Sequence, residues 1–171
     1  LALDYARAGL FAEALGVVAD ANTAATDGTA PLVSYYRAWL AHRLGDAKSV
    51  ATHLTAAASA APDYCFPARL EEIAILQFAL TANPRDARAP FYLGNLLYDR
   101  RRHQGAIKLW DRAVRLEPAN AVAWRNLGIA YFNILGQPAK ARRAYEAAFR
   151  ANPADARLLY ERDQLWKRLG E

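Results

Sequence analysis

Small, large and polar residues fall in the same order twice along the second half of the chain. From Ala87 onward, Leu93 and Gly94 are followed by Leu97, then by Ala106, Trp110, Ala113 and Pro118. From Ala121 onward, the order is Trp124, Leu127, Gly128, Tyr131, Ala141, Tyr145, Ala148 and Pro153. Prolines mark the period: Pro84, Pro118 and Pro153 are 34 and 35 residues apart, with Pro62 a further 22 residues upstream. A period of this length is that of a helix–turn–helix repeat. The longer spacing comes from one residue inserted in the turn "LGQPAKA".

The pattern has a physical logic. Gly94, Gly128, Ala106 and Ala141 are small where two helices are expected to cross closely. Trp110, Trp124, Tyr131, Tyr145 and Leu97 are the large residues that fill the remaining core. Each proline ends a second helix, and Asp86, Asn120 and Asp155 stand where they can cap the next one. Pro90 is awkward: either its helix starts after Ala87, or one first-turn hydrogen bond is lost.

The first half is looser. Residues 31–64 keep Ala38, Gly45, Leu54, Ala57 and Pro62 in register, with Ser34 and Arg37 out of pattern. Residues 1–27 keep Tyr5, Ala14, Val18 and Ala21. The short interval before Pro84 predicts a single helix from about Phe66 to Ala82, with Leu70, Ile73, Ala74 and Gln77 at helical spacing and Leu76 and Leu80 widening the apolar face. The tail opens like another repeat but carries Arg162 and Asp163 where Leu and Gly are expected. It reads as a terminal capping helix, polar on its outer side.

On these residues the chain resembles the tetratricopeptide repeat (TPR) family, specifically over 87–155 and in degenerate form over 1–64. The resemblance implies an all-α fold: a right-handed TPR solenoid of antiparallel helix pairs. Its parts are degenerate repeats over 1–64, one unpaired extra helix over 65–84, two standard units over 85–155 and a capping helix over 156–171. More narrowly, "FPARLEEIAILQFALTANPRDARAPFYLGNLLYD" and "LLYERDQLWKRLG" resemble the C-terminal TPR region of large bacterial proteins with a β-rich, sugar-related N-terminal domain.

The family's peptide-binding groove is lined by the first helix of each unit. Carried onto this sequence, the groove positions are Tyr35, Trp39 and His42; Arg88, Phe91, Asn95 and Tyr98; Arg125, Asn126, Ile129 and Asn133; and Arg157, Tyr160, Glu161 and Gln164. One mode of the family clamps a C-terminal carboxylate with five polar side chains. Asn95, Asn126 and Arg157 match three of those positions, whereas Phe91 and Glu161 replace a Lys and an Arg. An acid at Glu161 repels a ligand carboxylate, so this clamp is not expected.

Charge is unevenly spread. Residues 1–86 carry six basic and nine acidic side chains, a net of −3, and residues 87–171 carry sixteen and eight, a net of +8. The basic residues do not form one stripe. Arg100, Arg101 and Arg102 fall in a turn, and Lys108, Arg112 and Arg115 fall on the outer side of a second helix, interspersed with Asp99 and Asp111. Such a solvated face does not predict a nucleic-acid groove.

No phosphate-binding loop motif is present. His42, His53 and His103 are scattered, and Cys65 has no CxxC partner, so no metal or cofactor is expected. Glu71 and Glu72 are adjacent and point about 100° apart on a helix, a poor acid–base pair and a plausible solvated face. No run reaches the ~20 apolar residues of a membrane span.

The expected function is therefore non-catalytic: a scaffold whose groove holds a protein or peptide segment, or another domain of the same chain. The alternative is an accessory region of a carbohydrate-active or sugar-binding bacterial protein. A cytoplasmic location is expected. The chain opens inside an apparent helix, so it is also expected to be a fragment of a longer protein.

Overall fold

The computed structural model describes residues 1–19, 21, 29–61 and 65–170. Among the described residues there are ten α-helices and no strand. They are α1 (Ala2–Arg7), α2 (Phe11–Ala19), α3 (Ala30–Arg43), α4 (Ala47–Ser59), α5 (Glu71–Ala82), α6 (Arg88–Asp99), α7 (His103–Leu116), α8 (Ala121–Asn133), α9 (Pro138–Ala151) and α10 (Ala156–Leu169). Pro62 lies outside the described residues. The chain forms two compact units, 1–96 and 97–171, with the boundary inside α6.

Tight turns link successive helices, and three of them share one device. Gly9, at φ +80°, donates to the Ala6 carbonyl at 3.1 Å, and Leu10 donates to Tyr5 at 2.9 Å. Gly45, also at +80°, donates to His42 at 3.1 Å, and Asp46 donates to Ala41 at 3.0 Å. These paired bonds satisfy carbonyls at a helix end, and they require a left-handed residue. The turn after α6 makes the same two bonds, Arg101 to Tyr98 at 3.0 Å and Arg102 to Leu97 at 2.8 Å, but its left-handed residue is Arg101, at φ +60°. An L side chain there crowds its own backbone. The turn after α8 carries the inserted residue: Gly136 has φ +58°, and Gln137 reaches back to Tyr131 at 2.8 Å.

In the first unit, Ala14, Val18 and Leu40 form a buried cluster with Phe11 and Trp39 packed against it. Arg37 fits no repeat pattern because it serves the end of α2. Its Nε and Nη2 donate to the Val18 carbonyl at 3.0 and 2.7 Å, and Nη2 donates to Ala19 and Ala21 at 3.2 and 3.1 Å. A cation on these open carbonyls also meets the negative end of the helix dipole.

α5 begins at Glu71 rather than near Phe66. Phe66 precedes Pro67, and a residue before proline is driven out of the helical region. The buried face of α5 is Glu72, Ile75, Leu76 and Ala79, while Leu70 is 63% exposed and Ala74 and Gln77 are exposed. Glu72 is no solvated acid. It is 5% exposed, accepts from Ala68 and Arg69 N–H at 2.7 and 2.8 Å, and accepts the Tyr36 hydroxyl at 2.8 Å.

Asp86 caps α6 by accepting from Arg88 N at 2.7 Å and Ala89 N at 3.4 Å. α6 starts at Arg88, so Pro90 is its third residue, where the N–H has no intrahelical partner to lose.

In the second unit, α8 and α9 meet at Gly128. A β-carbon there would lie 2.6 Å from Tyr145 Cδ2 and 2.7 Å from Cε2. Tyr145 is buried with Ala141, Ala148, Leu158 and Leu165. Asn120 caps α8 by accepting from Ala123 N at 2.9 Å, and Asp155 caps α10 by accepting from Leu158 N at 3.1 Å. Ala106 and Trp110 are buried on α7, and the Tyr98 ring lies 5.1 Å from that of Trp110.

Two substitutions test this account by urea unfolding. Arg101→Gly should stabilise by about 0.5–1 kcal/mol, because relief of the left-handed strain exceeds the added chain entropy of glycine. An unchanged or lower midpoint would contradict it. Gly128→Ala should destabilise by about 1–2 kcal/mol despite the better helix propensity of alanine, because the added methyl would lie 2.6 Å from the Tyr145 ring and the ring or the helix must shift from its packed position. In a Tyr145→Leu background the same change should cost nothing.

Candidate functional site

The groove positions expected from sequence do not all reach the surface. Tyr35 is 0% exposed and donates its hydroxyl to Asp86 Oδ2 at 2.6 Å. Phe91 is 5% exposed, its ring 5.5 Å from that of Tyr92. Both assignments are corrected: these are core residues. For Tyr35 the cause is α5, which packs on α3, while the connection from α5 to α6 brings Asp86 over its ring. His42 is taken up the same way, its ring stacked 4.6 Å from that of Phe78 on α5.

Trp39 is half-buried, edge-on to Phe11 at 6.1 Å. It lines a small apolar cleft of about 170 Å³ with Leu3, Ala6 and Ile75, rimmed by an Arg7–Glu71 ion pair. Arg88 and Asn95 are half-buried residues of the same unit, and Asn126 is half-buried on α8. Tyr98 is half-buried against His103 and Trp110, at 4.7 and 5.1 Å.

The remaining expected residues come together in the second unit. α10, started by its Asp155 cap, buries Leu158 and Leu165 against the α9 cluster. The adjoining face carries Arg157, Tyr160, Glu161, Gln164 and Arg168, at the three- and four-residue spacing of one helix face. Glu161 reaches α8, where Arg125 Nε donates to Oε2 at 2.5 Å and Nη2 to Oε1 at 2.6 Å. Arg157 Nε adds a 3.0 Å bond to Oε1.

Burial opposes ionisation of both members of the Arg125–Glu161 pair. Their mutual bonds outweigh it, so the Glu161 carboxyl is held below its ordinary range and Arg125 above its own. A two-pronged guanidinium–carboxylate match of this kind is among the stronger polar contacts in proteins.

Beside this pair lies a cleft of about 290 Å³. It is lined by Ile129, Phe132 and Asn133 of α8, Tyr145 of α9, and Tyr160, Glu161, Gln164, Leu165 and Arg168 of α10. Its floor is apolar, with two side-chain amides among the lining groups. Tyr160 is 65% exposed. Sequence reasoning missed Phe132, Leu165 and Arg168. Repeat spacing assigns Tyr145 to the core, yet it lines the cleft as well; that spacing fixes which residues are buried, not which buried ring also floors a cavity.

Repeat spacing likewise assigns Trp124 to the core, and it is half-buried. Its Nε1 donates to the Pro118 carbonyl at 3.0 Å, and it lines a third cleft with Ala147 and Arg150.

Cys65, Glu71 and Glu72 all lie in the first unit. Cys65 is buried ahead of α5, and burial pushes its thiol up to about 11. Glu72 holds the start of α5, and Glu71 pairs with Arg7. Among the described residues, no group of three or more His, Cys, Asp or Glu could hold a metal, and no helix is long and apolar enough to cross a membrane.

Residues 94–134 match the family model for the TPR repeat. The fold is similar to that of the first TPR of Spaghetti (RPAP3) bound to the HSP90 peptide SRMEEVD, at 15% identity and a TM-score of 0.55, over 87% of this chain and 100% of that one. It is also similar to MamA, residue 41 to the end, from Desulfovibrio magneticus RS-1, at 19% identity and a TM-score of 0.55, over 99% of this chain and 81% of that one. The first TPR domain of human RPAP3, solved by NMR, gives 15% identity and a TM-score of 0.54, over 84% and 94%. At these identities the likeness is one of fold: all-α, built of helix pairs.

The Arg125–Glu161 pair sets a pH dependence. The carboxyl is more acidic folded than unfolded, so its contribution is complete above the unfolded value and is lost as pH falls through the folded one. Glu161→Gln should lower stability at neutral pH by about 1–3 kcal/mol. The deficit should shrink in strong acid, where the wild-type carboxyl is protonated too. Thermal melts across that range check it; a deficit independent of pH would assign the effect to packing.

Proposed function

We propose that this chain is a non-catalytic scaffold that holds a protein or peptide segment in the cleft between α8 and α10. The observation that carries the reading is the make-up of that cleft: the apolar floor of Ile129, Phe132, Tyr145 and Leu165 with the Asn133 and Gln164 amides beside it. An apolar side chain of an extended segment seats on the floor. The amides, each both donor and acceptor, read its backbone. Tyr160, exposed at the same cleft, supplies aromatic area at low entropic cost.

Ile129, Asn133, Tyr160 and Gln164 are thus the contact residues of this reading among those expected from sequence. Arg125 and Arg157 act by holding Glu161 and α10 in place. The fold supports the reading from a second direction, because the first TPR of Spaghetti is seen with an HSP90 peptide bound.

The test is an array of peptides of varied sequence probed with wild type and with an Asn133→Ala/Tyr160→Ala/Gln164→Ala variant. Peptides retained by the wild type should bind the variant about tenfold more weakly or worse. Equal retention by both proteins would remove the function from this cleft.

A further inference from the structure

Arg125 presents a rigid fork of donors beside the cleft, and that fork is already filled. Glu161 takes Nε and Nη2 at 2.5 and 2.6 Å from a position 36 residues further along the chain. Neither partner is free to wander, since the Arg125 and Glu161 side chains are only 18% and 21% exposed. Arg157, 74% exposed, fastens the same carboxylate from the solvent side at 3.0 Å. Glu161 also lines the cleft itself, so any occupant meets its charge. A second carboxylate entering here must displace Glu161 or lie against it, and two carboxylates sharing one site repel. The repulsion counts for more where water is partly excluded.

We propose that Glu161 is an intramolecular ligand of Arg125, a carboxylate supplied by the chain itself, and that it determines the specificity of the α8–α10 cleft by closing the Arg125 end to anionic groups. The occupant this leaves room for is an extended peptide stretch that is uncharged where it meets α8 at Arg125. Its recognition then falls to the apolar floor and the two amides. This rests on the scaffold reading for the identity of the cleft. The role of Glu161 at Arg125 stands on the ion-pair geometry alone and can be tested without any peptide.

The probe is acetate, followed by the Arg Nε–H resonances of ¹⁵N-labelled protein. In wild type the Arg125 resonance should not move on titration. In Glu161→Gln and Glu161→Ala it should shift saturably, with an apparent acetate affinity at Arg125 about tenfold or more above wild type. Arg157→Ala should behave as wild type, because the two bonds from Arg125 remain.

Glu161→Gln preserves the shape of the side chain and carries the test if the alanine variant is unfolded by circular dichroism. A wild-type Arg125 that responds to acetate as strongly as the variants overturns the proposal. So does a folded variant whose Arg125 does not respond at all. Failure of the peptide array with an intact acetate response would count against the scaffold reading and not against this one.

Discussion

The ring of Tyr145 lies where a β-carbon of residue 128 would otherwise be, and the second unit is organised around that approach. Only glycine lets α8 come this close to α9. The ring then serves two layers at once. One side belongs to the buried cluster with Ala141, Ala148, Leu158 and Leu165, and another lines the cleft. Close-packed interiors transmit small changes in spacing rather than absorbing them. The position of α10, which packs on α9, follows from the same contact, and so does the reach of Glu161 to Arg125.

The Arg125–Glu161 pair is a different kind of constraint. Packing places the helices, but the pair fixes how one face of α10 is presented. Burying charge is costly, and a pair of this kind is weak evidence for stability taken alone. Its geometry suits specificity better: two planar groups matched through two bonds tolerate little rotation. The same two residues thereby hold the edge of the cleft and set its charge.

Much of this was legible in the sequence because much of it is local. Asp86, Asn120 and Asp155 cap helices that begin within three residues of them, and Gly128, small at the repeat period, marks a close approach. What was not legible depends on contacts that the period does not encode. Tyr35 and Phe91 stand at groove positions of a regular repeat, yet α5 and its connection to α6 interrupt that regularity and Tyr35 is covered by Asp86. Glu72 reads as a surface acid until Tyr36, 36 residues away, is found bonded to it. Arg37 reads as a mismatch because its partners are the carbonyls of another helix. The cleft itself was legible only in part: α8 and α10 supplied residues at recognisable positions, but its floor comes from rings whose second role has no signature in spacing.

The buried thiol in the first unit has a use beyond packing. The chain contains one cysteine, 2% exposed, whose ionised form is disfavoured by its surroundings. While the unit is closed, both access and thiolate are withheld from an alkylating reagent. Each reaction at Cys65 therefore records an opening of the packing that surrounds it. When reclosing is fast relative to alkylation, the observed rate divided by that of an exposed thiol gives the equilibrium for opening. The molecule carries a built-in probe of local unfolding for its first unit, in the presence or absence of anything bound to the second.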